Sequence, residues 1–315
     1  MTAHLLRRLG AAVLLVVVAS CVVNLLMLAN SEHIARIILG DEASVEQVAA
    51  KRAELGLDRP ALVQYGDWLR HAVQGDLGRS WGPPKGESVT YLLVNRIPVT
   101  LSIAVGTVLL SITISLCAGI AAAVFRGGID RVLQVVSILG LVFPGFWLAL
   151  VLVKAVSIDM GLLPATGYVP LIESPADWSR SLALPVFSLA IGAVAGLSQQ
   201  VRSATIATLE RDFVRTLRSR GLPESTIMFR HVLRNSAPPT LTVLSLNFIA
   251  LMSGAVMIEQ VFALPGLGSL AVDATTTGNI PVVMGAVIVA VIIVVSVNLC
   301  VDLLNAWLNP KVRLS

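Results

Sequence analysis

Apolar residues dominate five stretches of this 315-residue chain, at about 9–29, 98–125, 132–153, 237–258 and 281–301, and a sixth, at about 182–201, is just long enough to join them. Each can cover a hydrocarbon core, which takes roughly 20 helical residues. The pattern therefore predicts an all-α membrane protein with six spans. It divides into a first membrane helix at 1–29, a polar segment at 30–97 and a core at 98–315 that holds the other five spans and a charged loop at 203–236.

Between the spans the pattern changes character. In "SVEQVAAKRAELGL" Ser44 and Gln47 stand at capping-box spacing and Gly56 offers a stop, which predicts a short helix. A second helix is predicted from Pro60 through "ALVQYGDWLRHAVQ" to Gly75. Leu62, Tyr65, Leu69 and Val73 share one face of it, expected to dock on the membrane-embedded body. Trp68 and Trp81 read as anchors at the membrane–water interface, with contact to a partner as the alternative. The 159–181 stretch carries Pro164, Pro170 and Pro175 and reads as irregular.

Composition agrees, with 56% hydrophobic and 13% charged residues, outside the balance of soluble domains. Charge adds an orientation. With the N-terminus in the cytoplasm, Arg7, Arg8, Arg126, Arg131, Arg202, Lys311, Arg313 and the six arginines of residues 210–235 fall on that side, 13 of the 23 basic residues. Lys and Arg near span ends stay cytoplasmic, and an even number of spans returns the C-terminus there. The net charge of +4 is thus a topology signal and gives no support to nucleic-acid binding.

"VASC", ending at Cys21, has the look of a lipoprotein cleavage site. The apolar run continues through "VVNLLMLA", so an uncleaved membrane helix is expected. Cys117 and Cys300 also lie in apolar spans, and the three cysteines read as small packing residues with neither disulfide nor metal-ligand spacing. Enzyme motifs are missing. None of Lys51, Lys85, Lys154 and Lys311 completes a GxxxxGK[ST] phosphate loop, and there is no HExxH and no GxSxG. No catalytic residue, metal ligand or cofactor is expected in the chain itself.

The densest charge sits in "ERDFVRTLRSRGLPESTIMFRHVLRN", residues 210–235, where six arginines against Glu210, Asp212 and Glu224 leave a net +3. Phe213 and Leu217 at i and i+4, with Val214 beside them, predict a short helix stopped by Gly221. Pro223 begins a second, with Glu224 in its first turn at the positive end of the dipole. The two are expected to meet at Gly221 and Leu222, neither being apolar enough to span. A solvated loop would set topology alone. Ile227, Met228 and Phe229, three apolar residues in a row, favour docking to a cytoplasmic partner.

This block resembles the cytoplasmic coupling loop of ATP-binding cassette importer permeases of the dipeptide/oligopeptide type. The general importer consensus is kept only at Gly221 and Leu233. The peptide-permease version, about "DYVRTARAKGL" then "RHALRNALLP", is matched at Asp212, Val214, Arg215, Thr216, Arg218, Gly221, Leu222, Arg230, His231, Leu233, Arg234, Asn235 and Pro239. "ELGLDRP", "GDLGRS", "GAVMIEQVFALPGLG" and "NLCVDLLNAWLNPKVR" are similar to family segments in the same order. Where many members have Pro-Gly-Asp-Pro after the first span, Ser31, Glu32, His33 and Ile34 stand here.

The resemblance implies a type I importer permease fold and a division of labour. A second permease chain, usually a different homologue, would complete the pathway. Separate ATPase subunits would bind ATP and grip the coupling residues Phe213, Arg215, Leu217, Arg218, Gly221, Leu222, Pro223, Glu224, Ile227, Met228, Phe229, Arg230 and His231. The helix after Gly221 would be the lever, with its apolar start in an ATPase groove and Arg218 and Arg230 at the rim. A solute-binding protein would deliver cargo outside.

Membrane ionisable groups are functional candidates, so Glu259 reads either as a pathway or gate residue or as an interface-level structural one. Asp302 and Lys154, near span ends, are expected to be solvated or paired. Pro144 and Gly145 interrupt the third apolar stretch and predict a kink, for packing or for lining a cavity. The reading is an inner-membrane subunit for uptake of di- or oligopeptides. Nickel chelates, glutathione or another small solute are alternatives within the class, and a stand-alone proton-coupled carrier is the alternative outside it.

Overall fold

The computed structural model describes residues 2–40, 42–125 and 127–308, so Arg126, Lys311 and Arg313, counted above for orientation, lie outside the described residues. Regular structure among them is helical, apart from one isolated bridge between Arg79 and Ser88. Five helices are long and apolar enough to cross a membrane: Gly10–Ala29, Val89–Val124, Pro175–Leu209, Glu224–Val261 and Ile280–Leu308. The third apolar stretch differs from the expected span. Asp130–Val142 and Gly145–Asp159 meet at 97°, far more than a kink. Pro144 forces the cause: it has no N–H to continue the helix, and Phe143 before it is extended at φ −85°, ψ 129°. The stretch expected at 182–201 is longer than its apolar window, because Ser174 caps the helix and Pro175 occupies its first turn.

The chain packs as two units. One comprises Met1–Thr100 and Pro265–Val295. It holds α1 (Thr2–Ala29), α2 (Ser31–Leu39), α3 (Val45–Glu54), α4 (Ala61–Val73), the start of α5 (Val89–Val124), α12 (Leu267–Thr276) and the start of α13 (Ile280–Leu308). The Ser44–Gln47 capping box forms as expected, and Gly56 follows α3 at φ +68°. Helix α2 was not expected. It occupies the residues that replace Pro-Gly-Asp-Pro, and its Ile34 joins Leu57, Ile280 and Met284 in the core of the unit.

On α4 the inward face is turned from the one expected. Leu62 and Val73 are exposed, while Tyr65, Trp68 and Leu69 are half-buried. Tyr65 fixes that rotation by placing its hydroxyl 2.8 Å from Ser20 Oγ and donating to the Val17 carbonyl of α1. Trp68 and Trp81 are half-buried and pack against the Ile34–Met284 core. "GDLGRS" and the residues after it are pinned to the start of α13: Asn279 donates to Ser80 Oγ at 2.7 Å and accepts from the Trp81 N–H at 3.1 Å.

The second unit, Leu101–Leu264 and Ser296–Ser315, is built around α8 (Pro175–Leu209). Helices α6 (Gly128–Val142), α7 (Gly145–Leu152) and α11 (Leu233–Val261) pack on it. Gly119 of α5 lies so close that an added Cβ would stand 2.7 Å from Val201 and 2.8 Å from the Ser198 carbonyl, a crossing that requires glycine. Cys117 and Cys300 are exposed on this unit, which corrects their reading as packing residues. Lys154 is paired, 3.0 Å from Asp159.

Candidate functional site

The 210–235 block folds as a helix, a tight turn and the start of a much longer helix. Helix α9 (Asp212–Ser219) is followed by Arg220 and then Gly221 at φ +76°. The Gly221 N–H donates to the Arg218 carbonyl at 2.9 Å and the Leu222 N–H to the Leu217 carbonyl at 3.3 Å. These are the two bonds of a Schellman stop, which places a left-handed residue, best glycine, one position beyond the cap. Its usual apolar contact is present, since Leu217 and Leu222 pack on the same cluster.

Pro223 then caps α10 (Glu224–Thr226), at φ −66°. This is not a separate second helix. It runs through a π-helical segment, Ile227–Val232, into α11, and the whole element, Glu224–Val261, is 38 residues long. The π turn has a packing consequence, because its i→i+5 bonding, with more residues per turn, brings residues five apart toward one side. Ile227 and Val232 are both fully enclosed and meet Val214 of α9. Around that trio lie Leu209, Phe213, Leu217, Leu222 and Met228.

The expected docking residues therefore separate into two groups. Ile227 is 0% exposed and holds the two helices together, so its expected seat in a partner groove is corrected. Met228, Phe213, Leu217 and Leu222 are partly covered by the same core, and His231 is half-buried. Phe229, by contrast, is 68% exposed. Arg215, Pro223, Glu224 and Arg230 also face outward.

Arg218 is not a free rim charge. It spans the turn to Glu224 with Nε–Oε1 at 2.6 Å and Nη2–Oε2 at 3.1 Å. That hydrogen bond to the carboxylate holds its guanidinium above the ordinary arginine value. Both side chains are well exposed, so the pair contributes little stability, on the order of 0–1 kcal/mol, and acts as a clasp on the turn.

The expected pathway residues are elsewhere. Glu259 is fully enclosed within the chain. Pro144 is exposed at the sharp break, beside Phe143 and Trp147, whose rings stack at 4.9 Å. A pair that sequence reasoning missed joins α6 to α8: Arg202 Nη2 lies 2.7 Å from Asp130 Oδ2, and Gln134 donates to Asp130 Oδ1 at 3.0 Å. Its signal was present, since Asp130 and Arg202 are opposite charges at the ends of apolar helices.

Residues 114–314 match the family described as binding-protein-dependent transport system inner membrane component, and residues 1–104 match the N-terminal family of the same membrane components. A Brucella abortus (strain 2308) chain bearing the name of a peptide transport system permease protein is 37% identical over 99% of both chains. The glutathione transport system permease protein of Salmonella choleraesuis is 33% identical over 89% of this chain and 88% of its own. Among solved structures, the MetNI methionine ABC transporter in an inward-facing conformation aligns with a TM-score of 0.56 over 70% of this chain and 97% of the other. At 18% identity that likeness speaks for the fold.

Proposed function

Because the chain belongs to the family of binding-protein-dependent transport system inner membrane components, we propose that it is the permease subunit of an ATP-driven importer of peptides. The observation that carries the cargo class is the 37% identity over 99% of both chains to a peptide-type permease. The chain is a multi-pass inner-membrane transport subunit rather than an enzyme. ATP is bound and hydrolysed by separate cassette subunits, a second, homologous permease chain completes the pathway, and an extracytoplasmic solute-binding protein delivers cargo. The chain's own surface faces membrane lipid.

The geometry supports a mechanical role for residues 210–235. In this reading α9 is the element the ATPase holds, presenting Arg215 and the nearby Phe229 and Arg230. Motion of α9 cannot be absorbed locally, because Val214, Ile227 and Val232 form one enclosed core. It passes into the 38-residue helix Glu224–Val261, about 57 Å long at 1.5 Å per residue. The lever is thus longer than the short helix expected from the sequence. Its α11 portion packs on α8 and on α7, the helix that begins after the Pro144 break.

Deleting the gene is expected to abolish uptake of short peptides in cells that depend on them, with restoration from a plasmid copy. Normal peptide uptake together with loss of glutathione or nickel import would overturn the cargo assignment. In this reading both termini and residues 203–236 lie in the cytoplasm, and 30–97 outside. Single cysteines at the exposed Ser225 and Ser88, with Cys21, Cys117 and Cys300 replaced, are expected to label from opposite sides. Labelling of both from outside in intact cells would refute that orientation.

A further inference from the structure

We propose that α4, which belongs to the polar segment 30–97, is a membrane-inserted helix whose exposed apolar stripe lies among the acyl chains of the outer leaflet. Leu62, Gly66, Leu69 and Val73 recur at intervals of four, three and four residues, which sets them along one side of a helix. Leu62 is 75% exposed and Val73 82%. Leu69 is half-buried, and nothing lies within 4 Å of where a Cβ on Gly66 would stand. The stripe is open along its length.

What covers it follows from the depth at which α4 is held. Tyr65 places its hydroxyl 2.8 Å from Ser20 Oγ and donates to the Val17 carbonyl at 3.0 Å, and both residues stand near the middle of the apolar helix Gly10–Ala29. Beyond Ser20, toward the end of that helix, Leu25 and Leu26 are exposed, so the hydrocarbon layer has to extend past Ser20 to cover them. Six residues at 1.5 Å each put Ser20 about 9 Å below Leu26. An interfacial amphipathic helix sinks its apolar face by roughly 5–10 Å, the same depth. A helix held there beside α1 has acyl chains as its neighbours.

The polar residues suit this placement. Asp67, Arg70 and His71 are exposed on the side away from the stripe, and Asp67 pairs with Arg59 at 2.6 Å. The helix thus turns its charges to water and headgroups, Tyr65 to α1 and the stripe to lipid. Tyr65 and Trp68, stacked at 6.0 Å, are residue types that collect at the membrane–water boundary. A partner approaching from water would have to reach below the end of α1 to cover Leu62 and Val73. The choice of leaflet rests on the proposed orientation, in which residues 30–97 meet the membrane from outside.

The test uses the full chain in proteoliposomes, with Cys21, Cys117 and Cys300 replaced and a single nitroxide label on Leu62→Cys, Val73→Cys, Arg70→Cys or, as a reference on the exposed surface of α1, Val22→Cys. The readout is the logarithm of the label's collision rate with oxygen over that with a water-soluble nickel chelate. It is expected to be positive at Leu62 and Val73, as at Val22, and negative at Arg70. A negative value at Leu62 or Val73 would overturn the proposal. So would slow collision with both reagents, the mark of a stripe covered by protein.

The same labels in the assembled importer separate lipid from a partner chain. Positive values there keep lipid as the occupant, whereas loss of collisions on assembly would assign the stripe to a partner and overturn it. An impermeant maleimide on Ser88→Cys reports orientation independently, because the collision ratio is the same from either side of the membrane. Labelling of Ser88→Cys from the cytoplasmic side alone, with positive values at Leu62 and Val73, would overturn the orientation, and with it the leaflet, while α4 remained inserted.

Discussion

Gly221→Val is expected to leave the protein inserted at near-normal levels while the coupling of ATP hydrolysis to uptake falls about tenfold. Gly221 stands at φ +76°, and nothing lies within 4 Å of where its Cβ would be. The cost of a side chain there is conformational, about 1–2 kcal/mol in the left-handed region. The chain can avoid it by giving up the bonds from Gly221 to Arg218 and from Leu222 to Leu217, which changes the angle between α9 and the long helix. Every 1.4 kcal/mol in such an equilibrium is a factor of about ten, small against membrane insertion and large for a lever.

Three companion variants locate the effect. Gly221→Asn should be milder, because asparagine tolerates a left-handed cap. Val214→Asp should be more severe, since it places a charge in a core that is fully enclosed and offers no partner. Phe229→Asp tests the surface alone, because that ring is exposed. It should weaken ATPase association without loosening the turn. The readouts are co-purification of the ATPase subunits and substrate-stimulated hydrolysis in proteoliposomes. Full coupling in Gly221→Val and Phe229→Asp together would show that residues 210–235 serve topology alone.

Breaking the pair between Asp130 and Arg202 is expected to cost more stability than any exposed ion pair in the protein. Their side chains are 13% and 24% exposed. Asp130→Asn leaves a guanidinium with half its partner, Arg202→Met leaves a largely buried carboxylate that keeps the bond from Gln134 but loses its counter-charge, and each should destabilise by roughly 2–4 kcal/mol, at or below the range for fully buried pairs. The double variant Asp130→Leu/Arg202→Met removes both charges and should recover most of the loss. The Arg218–Glu224 clasp, 46% and 67% exposed, is the internal control: Arg218→Ala should cost a few tenths of a kcal/mol and respond to salt. Unfolding in detergent checks the set. Single variants at Asp130 and Arg202 as mild as Arg218→Ala would remove the clamp between α6 and α8.

Much of the candidate site was legible because its signals are local. The Gly221 stop, the Pro223 start and the Ser44–Gln47 capping box each depend on residues within one or two turns, and all three formed where the spacing placed them. Helix α2 was missed because its strong apolar anchor, Ile34, is satisfied by Leu57, Ile280 and Met284, residues remote in sequence. The turned face of α4 has the same origin, since Leu62 and Tyr65 look equivalent by periodicity until the Tyr65 hydroxyl finds Ser20.

By itself, the sequence determined that this is a helical membrane protein of the importer permease class, because span length and composition and the order of the family segments are properties of the chain alone. The tertiary structure decided three further things. Ile227 became a core residue rather than a contact, since a π turn is set by packing and leaves no periodic trace. Pro144 produced a near-perpendicular break rather than a kink, because a proline can only stop a helix, and what packs around it sets the new direction. Glu259 was enclosed, and Asn24 Oδ1 was buried with no hydrogen-bond partner among the described residues, because whether a polar group in an apolar helix is enclosed, paired or open depends on neighbours that lie elsewhere in the chain.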